Sequence, residues 1–96
     1  MSLVFEWDPR KARSNDRKHR VSFAEAASVF SDPMARVFPD EEHSAEESRE
    51  IAIGHSTAKH LLIVSFTELK TGRIRIISAR RATRVEQQDY EEHVAN

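Results

Sequence analysis

The chain has no cysteine, two glycines, and no apolar run longer than Leu61–Val64. Without cysteine there is no disulfide framework, thiol nucleophile or zinc–thiolate site. Two glycines cannot build the Gly-rich loops that cradle nucleotide phosphates. Four consecutive apolar residues fall far short of the roughly 18 that a membrane span needs. The first eight residues include Glu6 and Asp8 and lack the basic start and apolar stretch of a secretory signal. No G-x-S-x-G turn supports serine hydrolase chemistry. These absences predict a cytoplasmic protein with no cofactor and no membrane contact.

The 96 residues suit one domain, taken here as 1–96. Hydrophobic residues make up 39% and charged residues 32%, so the core is thin and the solvated surface large. Isoleucine, leucine, valine and phenylalanine still exceed the fraction of about 20% below which disorder becomes the better reading.

Leu3–Trp7 reads as a short strand. Asp8-Pro9 then starts a helix, with Asp as N-cap and Pro in the first turn. That helix, running to about His19, has almost no apolar face, so tertiary contacts must hold it. Ser22-Phe23-Ala24-Glu25 forms a capping box for a second helix over 23–31, ended by Asp32-Pro33. Met34–Phe38 is a strand, and 39–48 an acidic loop. Arg49–Ser56 alternates in polarity. His60–Glu68 is apolar on both faces and should be central in its sheet. After a Lys70-Thr71-Gly72 turn, Arg73–Arg80 alternates, with Ile74, Ile76 and Ser78 on one side and Arg73, Arg75, Ile77 and Ala79 on the other. Thr83-Arg84-Val85-Glu86 opens a last helix reaching about His93. The predicted fold is α+β, an antiparallel sheet packed against helices in the order β-α-α-β-β-β-β-α.

A net charge of −1 conceals segregation. Residues 40–50 hold six acids against one arginine, whereas the rest carries 14 bases and 10 acids. The bases concentrate in 10–20 and in 73–84, the footprint of a phosphate-bearing partner.

The order and residues resemble the BrnT family of toxins from type II toxin–antitoxin systems. The resemblance is carried by Phe5-Glu6-Trp7-Asp8 with Lys11, Asn15, Lys18 and His19, by Ser22-Phe23 with Glu25-Ala26, and by Arg49 and Gly54. Its most specific piece is Ile74-Arg75-Ile76-Ile77-Ser78-Ala79-Arg80-Arg81-Ala82, followed by Glu86 and Tyr90. Arg20 departs from the pattern, which has Gly after the Lys-His pair. The resemblance implies a RelE-like ribonuclease that blocks translation. It also implies a BrnA-like antitoxin with a ribbon-helix-helix part that binds DNA, in a dimer or heterotetramer with the toxin.

The residues themselves leave alternatives open. Metal-free RNA cleavage needs a base for the 2′-hydroxyl, an acid for the leaving oxygen and cations for the phosphorane charge. Arg75, Arg80, Arg49 and His19 are the catalytic candidates; Lys11, Lys18, Arg73 and Tyr90 are the RNA-binding ones. Arg75 either pairs with a carboxylate such as Glu50 or Glu86 or lines an RNA groove. Arg80 and Arg81 point to opposite faces, so at most one serves a given site; either could be an ordinary strand-end cation. His19 is an acid–base candidate by residue type or a helix-end cap. His55 and His60 flank a turn and should be exposed. Glu86 fits a capping partner of Thr83 better than a general base. Tyr90 either packs the last helix or reaches a substrate, and Trp7 either fills the core or stacks on a base. Asp40, Glu41, Glu42 and His43 match no metal-ligand spacing. The competing function is a non-catalytic module that binds RNA or a partner chain through the same basic surface. A DNA-reading role for the last helix is weaker, because that helix is acidic.

Overall fold

A computed structural model describes residues 2–43 and 48–95. Glu46 and Glu47 of the acidic segment lie outside the described residues. The order is β1 (Val4–Glu6), α1 (Pro9–His19), α2 (Phe23–Ser28), a 3-10 turn (Val29–Ser31), β2 (Arg36–Pro39), a second 3-10 turn (Glu41–His43), β3 (Glu50–His55), β4 (Leu61–Lys70), β5 (Arg73–Arg81) and α3 (Arg84–Ala95). The five strands lie in the order β1-β5-β4-β3-β2, with β4 central as its two apolar faces predict. The sheet is not purely antiparallel. β1 joins β5 in parallel, pairing Val4, Phe5 and Glu6 with Arg73, Ile74 and Arg75. Three residues carry no pattern that distinguishes the two directions.

Helices α1 and α2 cover one face; α3 rests on the β2–β3 end of the other, which is otherwise uncovered. The core between them and the sheet gathers Val21, Phe23, Ala26 and Val29 with Ala52, Leu62, Val64, Phe66, Ile74, Ile76 and Ala79. Phe30 extends it, its ring 4.9 Å from that of Phe66 and 5.2 Å from that of Phe5.

One register shift matters for function. Ser65 pairs with Ser78 but Phe66 pairs with Ile76, so Ile77 is an extra residue bulged out of β5. Strict alternation would place Ala79 beside Arg73 and Arg75. The bulge instead turns Ala79 into the helix-covered core, where it is 1% exposed, and leaves Ser78 half a period away on the opposite face. Arg80, paired with Ile63, therefore shares the uncovered face with Arg75, paired with Thr67. Arg81 goes to the helix side.

Helix α1 is held without an apolar stripe. Asp8 caps its start by accepting from the Arg10 N–H at 2.8 Å, and Asn15 is its buried residue. Arg20 closes it in the left-handed conformation (φ 59°, ψ 34°), so the cap forms although the residue is not glycine. At α2, Ser22 caps Glu25 N–H at 3.0 Å. The Glu25 carboxylate does not return the bond. It accepts instead from the Ser56 hydroxyl at 2.7 Å and meets His60 Nδ1 at 2.8 Å, which ties α2 to the β3–β4 turn and leaves His60 half-buried rather than exposed. Burial pushes this carboxyl up, but the bonds from Ser56 and His60 outweigh it and hold its pKa below the ordinary value.

Candidate active site

The uncovered face holds a cleft of about 420 Å³. Ile51, Ile63 and Ser65 form its floor with Ile77 and Ser78 of the bulge, and His19, Arg49, Arg80 and Asp40 stand around it. Each wall has a local cause. Arg49 enters just before β3, where the Asp40 N–H donates to its carbonyl at 2.9 Å. His19 comes from the last turn of α1, whose basic residues Arg17, Lys18 and His19 complement the helix C-terminus. Arg80 is aimed here by the bulge.

The Arg80 guanidinium is fixed. Its two terminal nitrogens donate to the two oxygens of Glu86 at 2.7 and 2.8 Å, a fork-to-fork pair. Glu86 is also the capping-box residue foreseen for α3. Its carboxylate accepts from Thr83 N–H at 2.8 Å, and its own N–H donates to the Thr83 hydroxyl at 3.2 Å. The bonds from Arg80 and Thr83 hold the Glu86 carboxyl down at about 2, and the same pair raises Arg80 above its ordinary value. One carboxylate thus starts α3 and orients a cleft cation.

Three of the four catalytic candidates meet in this cleft: His19, Arg49 and Arg80. Arg75 does not. It lines a second cavity of about 350 Å³ with Glu6, Trp7, Asp8 and Lys11. Its carboxylate partner is neither Glu50 nor Glu86 but Glu6, opposite it on β1, at 3.2 and 3.3 Å. Arg73 donates to the other oxygen of Glu6 at 2.9 Å. The Arg75 bond is the largest cause holding the Glu6 carboxyl below its ordinary value. Sequence reasoning missed Glu6 because only the parallel pairing of β1 brings it beside β5. The two cavities share Ile77 as a wall.

Of the remaining RNA-binding candidates, Lys11 faces the second cavity, and Lys18 is exposed on α1. Tyr90 lies apart from both cavities. It is 5% exposed, its hydroxyl donates to the Met34 carbonyl at 3.2 Å, and its ring meets His55 edge-on at 5.6 Å. It packs α3 onto the β2–β3 end of the sheet, and burial raises its pKa. Asp40, foreseen in a solvated acidic loop, is a cleft wall instead. Among the described residues no three His, Asp or Glu side chains gather at metal-binding distance.

The family model for "Ribonuclease toxin, BrnT, of type II toxin-antitoxin system" matches residues 7–86. The chain belongs to the BrnT family. A solved BrnT structure, the ribonuclease toxin of Brucella abortus, superposes with a TM-score of 0.65 at 29% sequence identity, covering 88% of this chain and 99% of that one. A comparison with curated proteins finds no match. The BrnT match begins just after β1 and runs into the start of α3, and so includes every residue that frames the cleft. No helix among the described residues is long and apolar enough to cross a membrane. Membership of a type II toxin–antitoxin family implies an antitoxin partner.

Proposed function

We propose that this BrnT-family toxin is a metal-independent endoribonuclease that inhibits translation, and that His19, Arg49 and Arg80 act in the cleft on the uncovered sheet face. The observation carrying this reading is the convergence of two guanidiniums and an imidazole over a floor bearing the Ser65 and Ser78 hydroxyls. Arginine suits a phosphate undergoing substitution because its fork is planar, permanently charged and bidentate. In the proposed step the RNA 2′-hydroxyl attacks the adjacent phosphorus and its proton passes to His19. The bond to the 5′-oxygen breaks, and that oxygen takes a proton from water. One product ends in a 2′,3′-cyclic phosphate and the other in a 5′-hydroxyl. Arg49 and Arg80 stabilise the charge that grows on the phosphorane oxygens. Glu86, already bonded to Arg80, costs the transition state no reorganisation because the guanidinium is set beforehand. The partner antitoxin, of ribbon-helix-helix type, silences the toxin by covering its basic surface and carries the complex to DNA.

The test is incubation of the purified protein with messenger RNA, with and without ribosomes, in EDTA, followed by mapping of new ends. New 5′-hydroxyl ends support the reading. Inertness toward both substrates overturns it and leaves a binding module.

A further inference from the structure

The second cavity differs from the cleft in its charge. Lys11 and Arg75 line it together with Glu6 and Asp8, so cations and carboxylates balance. Two carboxylates repel a phosphate, whereas a neutral ring carrying both donors and acceptors finds partners for each. Trp7 supplies the flat apolar wall. It is half-buried, and edge-on packing against Phe23, at 6.0 Å and 81°, fixes its plane. Aromatic faces held in this way are what unstacked RNA bases lie on.

Arg75 narrows the choice of base. Glu6 engages its Nε and one terminal nitrogen, Nη2, from the side. The end-on pair of N–H groups, from Nη1 and Nη2, is left for a ligand, and Glu6 holds that fork in place. Two parallel donors match the adjacent O6 and N7 acceptors of guanine; adenine presents a donor at the corresponding exocyclic position. The Asp8 carboxylate uses one oxygen to cap α1 and keeps the other for the donors on guanine's opposite edge.

We infer that the cavity between Trp7, Arg75 and Asp8 is a guanine-binding subsite, seating a base beside the scissile phosphate held in the neighbouring cleft. It rests on the ribonuclease reading for its role, though not for its chemistry. Ile77, the bulged residue, is the shared wall, so the same irregularity that aims Arg80 joins base subsite to cleft.

Trp7 is the single tryptophan of the chain, so its fluorescence reports this cavity directly. The experiment titrates guanosine, adenosine, cytidine and uridine 5′-monophosphates against the full chain. All four share the phosphate, so differences between them belong to the base. Guanosine monophosphate should quench Trp7 with a Kd at least about tenfold below the others, the discrimination expected of one bidentate contact. In Arg75→Lys, which keeps the charge and loses the fork, the guanine preference should fall by about fivefold or more, leaving only what Asp8 contributes. Circular dichroism checks that the variant is folded. Equal Kd values for all four in the wild type, or no quenching, overturn the subsite. A guanine preference that is undiminished in folded Arg75→Lys also overturns it, because Arg75 then reads nothing. The two readings fail separately: RNA cutting without guanine preference removes the subsite alone, and guanine-selective quenching without cutting removes the ribonuclease reading alone.

Discussion

The Asn15 side chain completes the edge of the sheet at Ala79. Its Nδ2 donates to the Ala79 carbonyl at 2.8 Å, and its Oδ1 accepts from the Ala79 N–H at 3.0 Å. β1 pairs with β5 only as far as Arg75, so past that point one carboxamide does the work of a neighbouring strand. Nδ2 also donates to the Val21 carbonyl at 3.0 Å, which fastens the corner between α1 and α2. This explains how a helix without an apolar face stays docked and keeps His19 at the cleft.

Asn15→Ala should therefore destabilise the fold by about 2–4 kcal/mol, since it strands several buried backbone groups. Asn15→Asp should cost at least as much, because a carboxylate cannot donate to two carbonyls. Chemical denaturation of both variants against wild type measures this. A loss near that of an exposed helix residue would show that α1 is held otherwise.

Arg20→Gly should raise stability. A non-glycine residue in the left-handed region is strained by roughly 1–2 kcal/mol. Part of the gain is offset by the greater freedom of glycine in the unfolded chain, about 0.4–1 kcal/mol. The expected net effect is a small increase in thermal midpoint with cleavage unchanged.

Gly54 is required by space rather than by backbone angle. A Cβ there would sit 2.8 Å from the Ala35 Cβ and 3.1 Å from both Val29 Cγ1 and Asp32 Oδ2. Gly54→Ala should cost about 1–3 kcal/mol through overpacking, read as a lower midpoint in the same denaturation series.

The pairing of Glu86 with Arg80 predicts an acid limb in the stability profile. The Glu86 carboxyl is held at about 2 in the folded chain against an ordinary 4.5. Its contribution is present above pH 4.5 and is lost as pH falls toward 2. Solvent screens the pair, exposed to 40% and 34%, so the effect is modest. Glu86→Gln should flatten that limb, measured as unfolding midpoint against pH. An unchanged slope would show that the pair adds nothing to folding.

The element order was legible because each boundary carries a local signal: Asp8-Pro9, Ser22 with Glu25, Asp32-Pro33, Thr83 with Glu86. Gly72 takes the positive φ of 80° that its turn suggested. What stayed hidden is long-range. Nothing local marks Ile77 as the residue that breaks alternation, so strict alternation puts Ala79 on the wrong face and hides the shared face of Arg75 and Arg80. The partner of Arg75 depends on the direction of β1, and the bonds of Glu25 depend on where the β3–β4 turn lands. His19, Arg49 and Arg80 were recognisable by residue type; their meeting is a product of register. The sequence leaves Tyr90 open between packing and substrate contact; its hydroxyl bond to the Met34 carbonyl is a long-range contact with no local signal.

In the proposed reaction the cleft, rather than the arginine-rich strand as a whole, carries the chemistry. The most direct test compares single-turnover RNA cleavage by Arg80→Ala and Arg75→Ala, with folding of each checked by thermal unfolding. Loss of a preorganised charge at the reacting phosphate should slow Arg80→Ala by about 100-fold or more. Arg75→Ala should keep its cleavage rate within about tenfold at saturating RNA, because it removes a binding contact outside the transition state. A fully active Arg80→Ala beside an inert, folded Arg75→Ala would overturn this assignment and move the reacting site to the cavity beside Trp7.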